Sequence, residues 1–121
     1  MADVIYMRCS TRPQAHGHSL IRQLEECTRF ASKHGVSVGG VFCDIASGAG
    51  RLPQRDLAIA FAKRSRGRVL VESSDRWSRA GNDGSEATEF FLSGRVVECA
   101  DHAIEFRHKI AAIVSGVPFD E

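Results

Sequence analysis

Three short polar segments of this chain combine a hydroxyl, carboxylates and guanidiniums in a way that suits phosphate chemistry. The first holds Arg8 and Ser10, the second spans residues 44–55, and the third spans residues 75–79. Arginine offers a planar fork of N–H donors that matches phosphate oxygens. Fixed cations stabilise the negative charge of a phosphoryl-transfer transition state without requiring a metal. Several guanidiniums around one hydroxyl therefore suit phosphoryl transfer and make Ser10 a candidate nucleophile, with a turn cap as the alternative role of that residue.

The spacing of these residues predicts which of them face each other. Side chains alternate along a strand, so Arg8 and Ser10 are expected on one face and Cys9 on the opposite, core-facing side. If residues 76–79 form a helical turn, Arg76 and Arg79 are neighbours on one helix face. Adjacent arginine charges also lower the barrier to deprotonating Ser10.

Apolar runs alternate with amphipathic stretches and predict the order β-α-β-α-β-α-β-α. Strands are expected at 4–9, 38–43, 69–71 and 96–100, and helices at 19–34, 57–64, 83–93 and 104–114. Apolar strands alternating with helices indicate a three-layer α/β fold, with a mostly parallel four- to five-stranded sheet and helices on both faces. Ligands of such sheets bind at the carboxyl ends of the strands, where the three polar segments lie.

The helical stripes predict which side chains reach the core. Gly35, Gly67 and Gly94 are expected to end the first three helices. The expected inward residues are Leu20, Leu24, Cys27 and Ala31 in the first helix, Leu57, Ala58, Phe61 and Ala62 in the second, and Ala87, Phe90 and Phe91 in the third.

Composition excludes several classes of protein. The 121 residues are 43% hydrophobic and 26% charged, which is typical of one globular domain. No segment approaches the roughly 20 apolar residues of a membrane span, and no secretory signal begins the chain, so a cytoplasmic protein without a membrane partner is predicted. The four cysteines form no CxxC pair and are expected to be buried thiols. His16 and His18 lack a third ligand nearby, so no metal and no cofactor are predicted.

Four segments resemble, in the right order, the motifs of the serine recombinases, the resolvase/invertase family. The opening Y-x-R-x-S-T-x-x-Q is similar to Tyr6–Gln14, and the S-L-x-x-Q start of the first helix to Ser19–Gln23. The D-x-x-S-G loop resembles Asp44–Gly48, and the L-D-R-L-S/G-R motif resembles Ser74–Arg79. The resemblance covers residues 4 to about 100 and implies a resolvase-like catalytic domain over residues 1–121.

This resemblance implies a site-specific recombinase that cleaves DNA through a 5′-phosphoserine link and rejoins it without metal or ATP. Ser10 would be the nucleophile, and Asp75 would orient the arginines or handle the leaving-group proton. The arginines that would hold the scissile phosphate are Arg8, Arg76 and Arg79. The supporting residues would be Gln14, Gln23, Asp44, Ser47 and a loop arginine, for which Arg55 aligns and Arg51 is the alternative.

The sequence departs from the family pattern in four places. The stretch 12–18 is longer than in compact members, Ser73 stands where a Lys is frequent, and Trp77 replaces the usual Leu. The last predicted helix, 104–114, spans roughly 16 Å, shorter than the family's dimerisation helix. No DNA-binding domain is predicted in the residues after it, so either a catalytic fragment or a naturally short protein is expected. With a net charge of +1, weak DNA binding by this chain alone is expected, and a homodimer or tetramer in the active complex.

Two other functions are compatible with the residues alone. One is a recombinase-like regulatory or interaction protein that keeps the fold but cannot recombine. The other is a small-molecule phosphatase on a flavodoxin-like sheet, against which the lack of a Cys-x5-Arg loop counts.

Overall fold

The computed structural model describes residues 1–9, 18–45, 51–77 and 86–100. Their strands form one four-stranded sheet in the order β2-β1-β3-β4, and every neighbouring pair is parallel. The predicted parallel α/β sheet is thus confirmed. The strands are β1 (Asp3–Cys9), β2 (Val38–Ile45), β3 (Val69–Val71) and β4 (Val96–Glu98).

Helices follow the strands as the alternation predicts. They are α1 (His18–Lys33), α2 (Pro53–Ser65), the single turn α3 (Ser74–Trp77) and α4 (Glu86–Leu92). The predicted last helix at 104–114 and the helix start at Asp83 lie outside the described residues. Among the described helices, none combines the length and the apolar character needed to cross a bilayer.

Alternation along β1 divides the core into two layers, one on each face of the sheet. Val4 and Tyr6 pack in a cluster with residues of α2, α3 and α4. Ile5 and Met7 face the opposite way, in a cluster with Cys27 of α1. Hydrophobic burial on both faces explains why β1 and β3 are apolar throughout, as expected for central parallel strands. Helices on both faces are therefore confirmed.

Three predicted inward residues are exposed instead. Leu24 is 38% exposed, Leu57 51% and Phe91 36%. The buried residues of α1 are Gln23, Cys27 and Ala31. Gln23 is buried in place of Leu24 because its amide forms hydrogen bonds with the backbone of β1. In α2 the small residues Ala58 and Ala62, with Ile59, let the helix approach the sheet closely.

Strand β2 is not buried throughout, because it lies at the edge of the sheet. Val41 is 50% exposed and Ile45 48%. Its Cys43 is only half-buried, whereas Cys9, Cys27 and Cys99 are buried thiols as predicted. A hydrogen bond with Cys99, together with burial, raises the pKa of Cys27, so that residue stays a neutral thiol.

Two helix ends show different uses of glycine. Helix α1 is followed by Gly35 with φ +65°, the left-handed position that was predicted for it. After α2, however, the left-handed residue is Arg66 (φ 58°), not Gly67. Gly67 is required for close approach, because a Cβ there would lie 1.9 Å from the carbonyl oxygen of Ala2.

We expect Gly67→Ala to destabilise the fold more than Gly35→Ala. The first forces the β1 backbone to move, at about 3 kcal/mol, whereas the second has open space and loses only about 1 kcal/mol to left-handed strain. Urea denaturation of both variants measures the difference. A Gly67→Ala protein as stable as Gly35→Ala would contradict the close approach of residues 2 and 67.

Candidate functional site

The carboxyl ends of β1, β2 and β3 bring the predicted polar segments to one end of the sheet. Arg8 lies opposite Asp44 in the β1–β2 register. On the other side, β1 pairs with β3 only at Val4 and Ile5. The two central strands therefore separate toward the site, and other groups must satisfy the main chain of β1 there.

Gln23 of α1 fills that gap with its side-chain amide. Its Oε1 accepts from the Arg8 backbone N–H at 3.0 Å, and its Nε2 donates to the Arg8 carbonyl at 3.0 Å. The side chain is fully buried and also donates to Ser19 Oγ at 3.2 Å. The amide thus acts as an extra peptide group of the sheet and fixes the backbone at Arg8.

The Arg8 side chain is buried at the end of the sheet, only 6% exposed. Its Nη2 donates to the backbone carbonyl of Asp75. This bond ties β1 to α3 across 67 positions of sequence. The acceptor is a neutral carbonyl, which orients the guanidinium.

Asp44 caps helix α2 from a neighbouring strand. Its carboxylate accepts from the backbone N–H groups of Gln54, at 3.1 Å, and Arg55, at 3.0 Å. It also accepts from the hydroxyl of Tyr6 at 2.8 Å. Burial, and then the bond to Asp44, raise the pKa of Tyr6, so the phenol remains a neutral donor. Asp44 therefore positions the first turn of α2, where Arg55 lies.

Arg55 reaches from α2 to the α3 turn. Its Nη1 donates to the carbonyl of Trp77 at 2.7 Å, and its guanidinium carbon lies 5.6 Å from the centre of the Trp77 ring. Its Nε is buried without a hydrogen-bond partner in the described part of the chain. A buried donor of this kind is costly unless it gains an acceptor, such as an anion oxygen. Arg51, the alternative, is exposed at the start of the described segment.

Trp77 supports this arrangement from inside the core. It is 1% exposed, its ring meets Tyr6 edge to face, and its Nε1 donates to the carbonyl of Ala87 at 2.9 Å. A leucine at this position could fill space but could not donate that hydrogen bond. Trp77, which stands where the family usually has Leu, therefore links α3 to α4 through this hydrogen bond.

The α3 turn presents Asp75 and Arg76 at the same end of the sheet. Ser73 donates its hydroxyl to Asp75 Oδ1, and this bond, together with the charges of Arg76 and Arg8, lowers the pKa of the Asp75 carboxyl. Asp75 is thus ionised at neutral pH. Arg76 donates from Nη1 to the Arg8 carbonyl at 3.4 Å and from Nη2 to Ser19 Oγ at 3.3 Å.

Arg8 and Arg55 therefore both donate to backbone carbonyls of α3, and Arg76 of the same turn donates to the carbonyl of Arg8. It brings Gln23, Asp44 and Asp75 to the same end of the sheet. The predicted residues Ser10, Gln14, Ser47 and Arg79 lie outside the described residues. Guanidiniums held in this way can bind an anion with several oxygens, such as a phosphodiester.

Glu72 was missed by sequence analysis. It follows β3 directly and is 4% exposed, held by Arg22 and Arg76. A charged residue immediately after an apolar strand, four positions before a predicted site arginine, is the signal that could have found it. The basic residue Arg68 lies at the opposite end of the sheet, where it pairs with Asp3 at 2.8 Å.

No cluster of three or more His, Cys, Asp or Glu side chains suited to a metal occurs within the described ranges. The site donors there are guanidiniums and amides, which bind anions.

Comparison with known proteins agrees with this fold. The family model described as the resolvase N-terminal domain matches residues 4–114. This α/β domain is therefore of the recombinase class, and the chain belongs to the resolvase family. A search of curated proteins found no match.

Solved structures of serine recombinases resemble the chain. The C-terminal catalytic domain of ISC1926 TnpA, an IS607-like serine recombinase, is 28% identical with a TM-score of 0.63, over 96% of this chain and 82% of that one. The C-terminal catalytic domain of IS1535 TnpA, also an IS607-like serine recombinase, is 27% identical with a TM-score of 0.63, over 95% of this chain and 87% of that one. The N-terminal catalytic domain of TP901-1 integrase shares the fold. It is 23% identical with a TM-score of 0.56, over 92% of this chain and 99% of that one.

We expect Asp44→Ala to cost about 3 kcal/mol of stability, because it removes a helix cap and leaves the buried Tyr6 hydroxyl without its acceptor. Tyr6→Phe, which leaves Asp44 with both backbone donors, is expected to cost only about 1 kcal/mol. Chemical denaturation of the two variants tests the order. Equal losses would contradict the capping role of Asp44.

The raised pKa of Tyr6 gives this hydrogen bond a pH dependence. The folded state keeps the phenol proton, so the stabilisation is full below the unfolded pKa of about 10 and is lost as pH rises above it. The stability gap between the native chain and Tyr6→Phe should therefore shrink above about pH 10. A gap that stays constant from pH 8 to 11 would show that Tyr6 is not buried as a neutral donor.

Proposed function

We propose that residues 1–121 form the catalytic domain of a site-specific serine recombinase, which cleaves and rejoins DNA through Ser10. The observation that carries the proposal is the linked set of Arg8, Arg55 and Arg76 at the carboxyl end of β1. Ser10 follows that strand directly in the chain, one residue after Cys9. Membership of the resolvase family favours this reaction over the hydrolysis of small phosphate esters.

The chemistry is a phosphoryl transfer that conserves the bond energy of DNA. The Ser10 oxygen attacks phosphorus, the bond from phosphorus to the 3′ oxygen breaks, and that oxygen takes up a proton. A 5′-phosphoserine link and a free 3′-hydroxyl result. Attack by the 3′-hydroxyl of a partner strand reverses the step, releases the Ser10 hydroxyl and restores a phosphodiester, so neither ATP nor a metal is required.

The guanidiniums would stabilise the charge that spreads over the phosphate oxygens in this step. Arg8 and Arg76, together with Arg79, would hold the non-bridging oxygens, and the unpartnered Nε of Arg55 would gain an acceptor when the phosphate binds. Arg51 is the alternative for the Arg55 role. Because Arg8, Arg55 and Arg76 are already held by protein groups, little reorganisation of these three is needed during the reaction.

The remaining predicted residues would act as supports. The lowered pKa of Asp75 favours orienting the arginines as a carboxylate over donating a proton to the leaving group. Gln23 would hold the β1 backbone before Ser10, and Asp44 would hold the first turn of α2, which carries Arg55. Gln14 and Ser47 would lie near the nucleophile and support it.

DNA would be the substrate, and two or four copies of the chain would be needed to exchange two duplexes. The structural relatives are serine recombinase catalytic domains, in keeping with this role. The net charge of +1 predicts weak, salt-sensitive DNA binding by this chain alone.

A covalent adduct between the chain and DNA is the expected product of the first step. A pool of supercoiled plasmids carrying genomic fragments of the source organism is mixed with the protein, denatured with detergent, and recovered by co-precipitation of covalently bound DNA. Ser10→Ala should abolish the adduct, and Arg8→Ala should lower its yield about 100-fold. Sequencing the recovered DNA would reveal the target.

Ser32→Ala is the matched control, because Ser32 is an exposed serine near the end of α1, far along the chain from the site. It should leave the adduct unchanged. An adduct that survives in Ser10→Ala removes Ser10 from the role of nucleophile. A folded native chain that binds DNA but forms no adduct favours the regulatory alternative.

A further inference from the structure

Glu72 is a buried carboxylate that joins a site arginine to helix α1. Its Oε1 accepts from Arg76 Nε at 3.2 Å, and its Oε2 accepts from Arg22 Nε at 2.7 Å. Its own side chain is 6% exposed, whereas that of Arg22 is 48% exposed. Both carboxylate oxygens are therefore engaged, each by a guanidinium from a different element.

Stability alone is a poor explanation for this acid. Removing a carboxylate from water costs free energy, and replacing a buried ion pair by apolar side chains is often neutral or stabilising. Electrostatics also argue against it, because a negative charge beside Arg76 weakens attraction for a phosphate. The geometry of Arg76 offers a better explanation.

Glu72 holds Arg76 by Nε, the nitrogen nearest the side-chain stem. Among the described residues, the two terminal nitrogens make long contacts, Nη1 to the Arg8 carbonyl at 3.4 Å and Nη2 to Ser19 Oγ at 3.3 Å. Both exceed the usual N–H···O distance of about 2.9–3.0 Å. The Nε bond, itself 3.2 Å long, goes to a charged carboxylate and is therefore the stronger anchor. The edge formed by Nη1 and Nη2 contacts neutral oxygens, which phosphate oxygens can replace.

Arg22 offsets the charge of Glu72 on the side away from Arg76. One carboxylate between two guanidiniums leaves this trio with a net charge of +1. Arg76 therefore gains a fixed orientation, while Arg22 shares the charge of the carboxylate that holds it.

We propose that Glu72 is a positioning residue that presets Arg76 for the scissile phosphate, with Arg22 as its balancing cation. The proposal rests on the proposed recombinase function. Presetting a guanidinium raises the rate of the chemical step more than it raises DNA affinity. A carboxylate whose role was only to support the fold would change rate, affinity and stability together.

The test compares Glu72→Gln with two other variants. Glu26→Gln is the matched control, since Glu26 also pairs with an arginine, Arg29 at 3.0 Å, but on the surface of α1. Arg22→Gln breaks the same bridge and leaves Glu72 bound to Arg76, so it separates loss of the bridge from loss of the anchor. Thermal unfolding of each variant records its stability.

Two readouts follow Arg76 and the reaction separately. The first is exchange with water of the Arg76 Nε–H, observed by ¹H–¹⁵N NMR of the DNA-free chain and assigned with Arg76→Lys. The second is the rate of adduct formation as a function of DNA concentration, measured on the sequence recovered from the plasmid pool.

We expect Glu72→Gln to speed exchange of the Arg76 Nε–H and to lower the maximal adduct rate at least about tenfold. The half-saturating DNA concentration should change by less than about twofold, because the lost carboxylate opposed rather than aided DNA binding. Glu26→Gln should keep slow exchange and a rate within about threefold of the native chain. Arg22→Gln should keep slow exchange of the Arg76 Nε–H, because Glu72 still holds Arg76.

Three results would overturn the proposal. The first is unchanged exchange at Arg76 in Glu72→Gln, and the second is an unchanged maximal rate. The third is a parallel fall of rate, affinity and unfolding temperature in both Glu72→Gln and Arg22→Gln, which assigns the trio to the fold alone. If the native chain forms no adduct, the proposed function has failed, and so has the part of this proposal that concerns the reaction. The NMR readout then still decides whether Glu72 anchors Arg76.

Discussion

A buried guanidinium is the constraint on which the rest of the site depends. Arg8 ends a central strand and is 6% exposed, so its N–H groups must find acceptors inside the protein. One acceptor is the carbonyl of Asp75, which draws the α3 turn toward β1. The backbone of the same residue is fixed by the fully buried amide of Gln23. Strand β1, helix α1 and turn α3 are thereby held together at a single residue.

Backbone carbonyls orient two of the site arginines. Arg8 donates to the Asp75 carbonyl and Arg55 to the Trp77 carbonyl. Carbonyl oxygens orient a guanidinium without cancelling its charge, whereas carboxylates would neutralise it. The described exception is Glu72, whose charge is shared with Arg22. Such an arrangement is suited to holding a phosphodiester, whose oxygens would supply the missing negative charge.

The local features of this fold could be predicted from the sequence, and the long-range ones could not. Apolar runs located the four strands, and Gly35 marked the end of α1, because burial and left-handed backbone leave local signatures. Leu24 was wrongly placed in the core, since the need for Gln23 at that face arises from the backbone of a distant strand. Helix α2 ends at Ser65 and is followed by the left-handed Arg66, while Gly67 is required for close contact with Ala2, which periodicity does not reveal. Likewise, the pairing of Glu72 with Arg22 depends on how α1 crosses the sheet.

The most direct test of the account is a titration of the DNA-free chain with dimethyl phosphate, the simplest phosphodiester, followed by ¹⁵N NMR of the arginine side chains. The account predicts that the guanidinium signals of Arg8, Arg55 and Arg76 shift together along one binding curve, while that of exposed Arg64 stays in place. Shifts confined to Arg64 and other surface arginines, or separate curves for the three site residues, would show that these guanidiniums do not form one phosphate site.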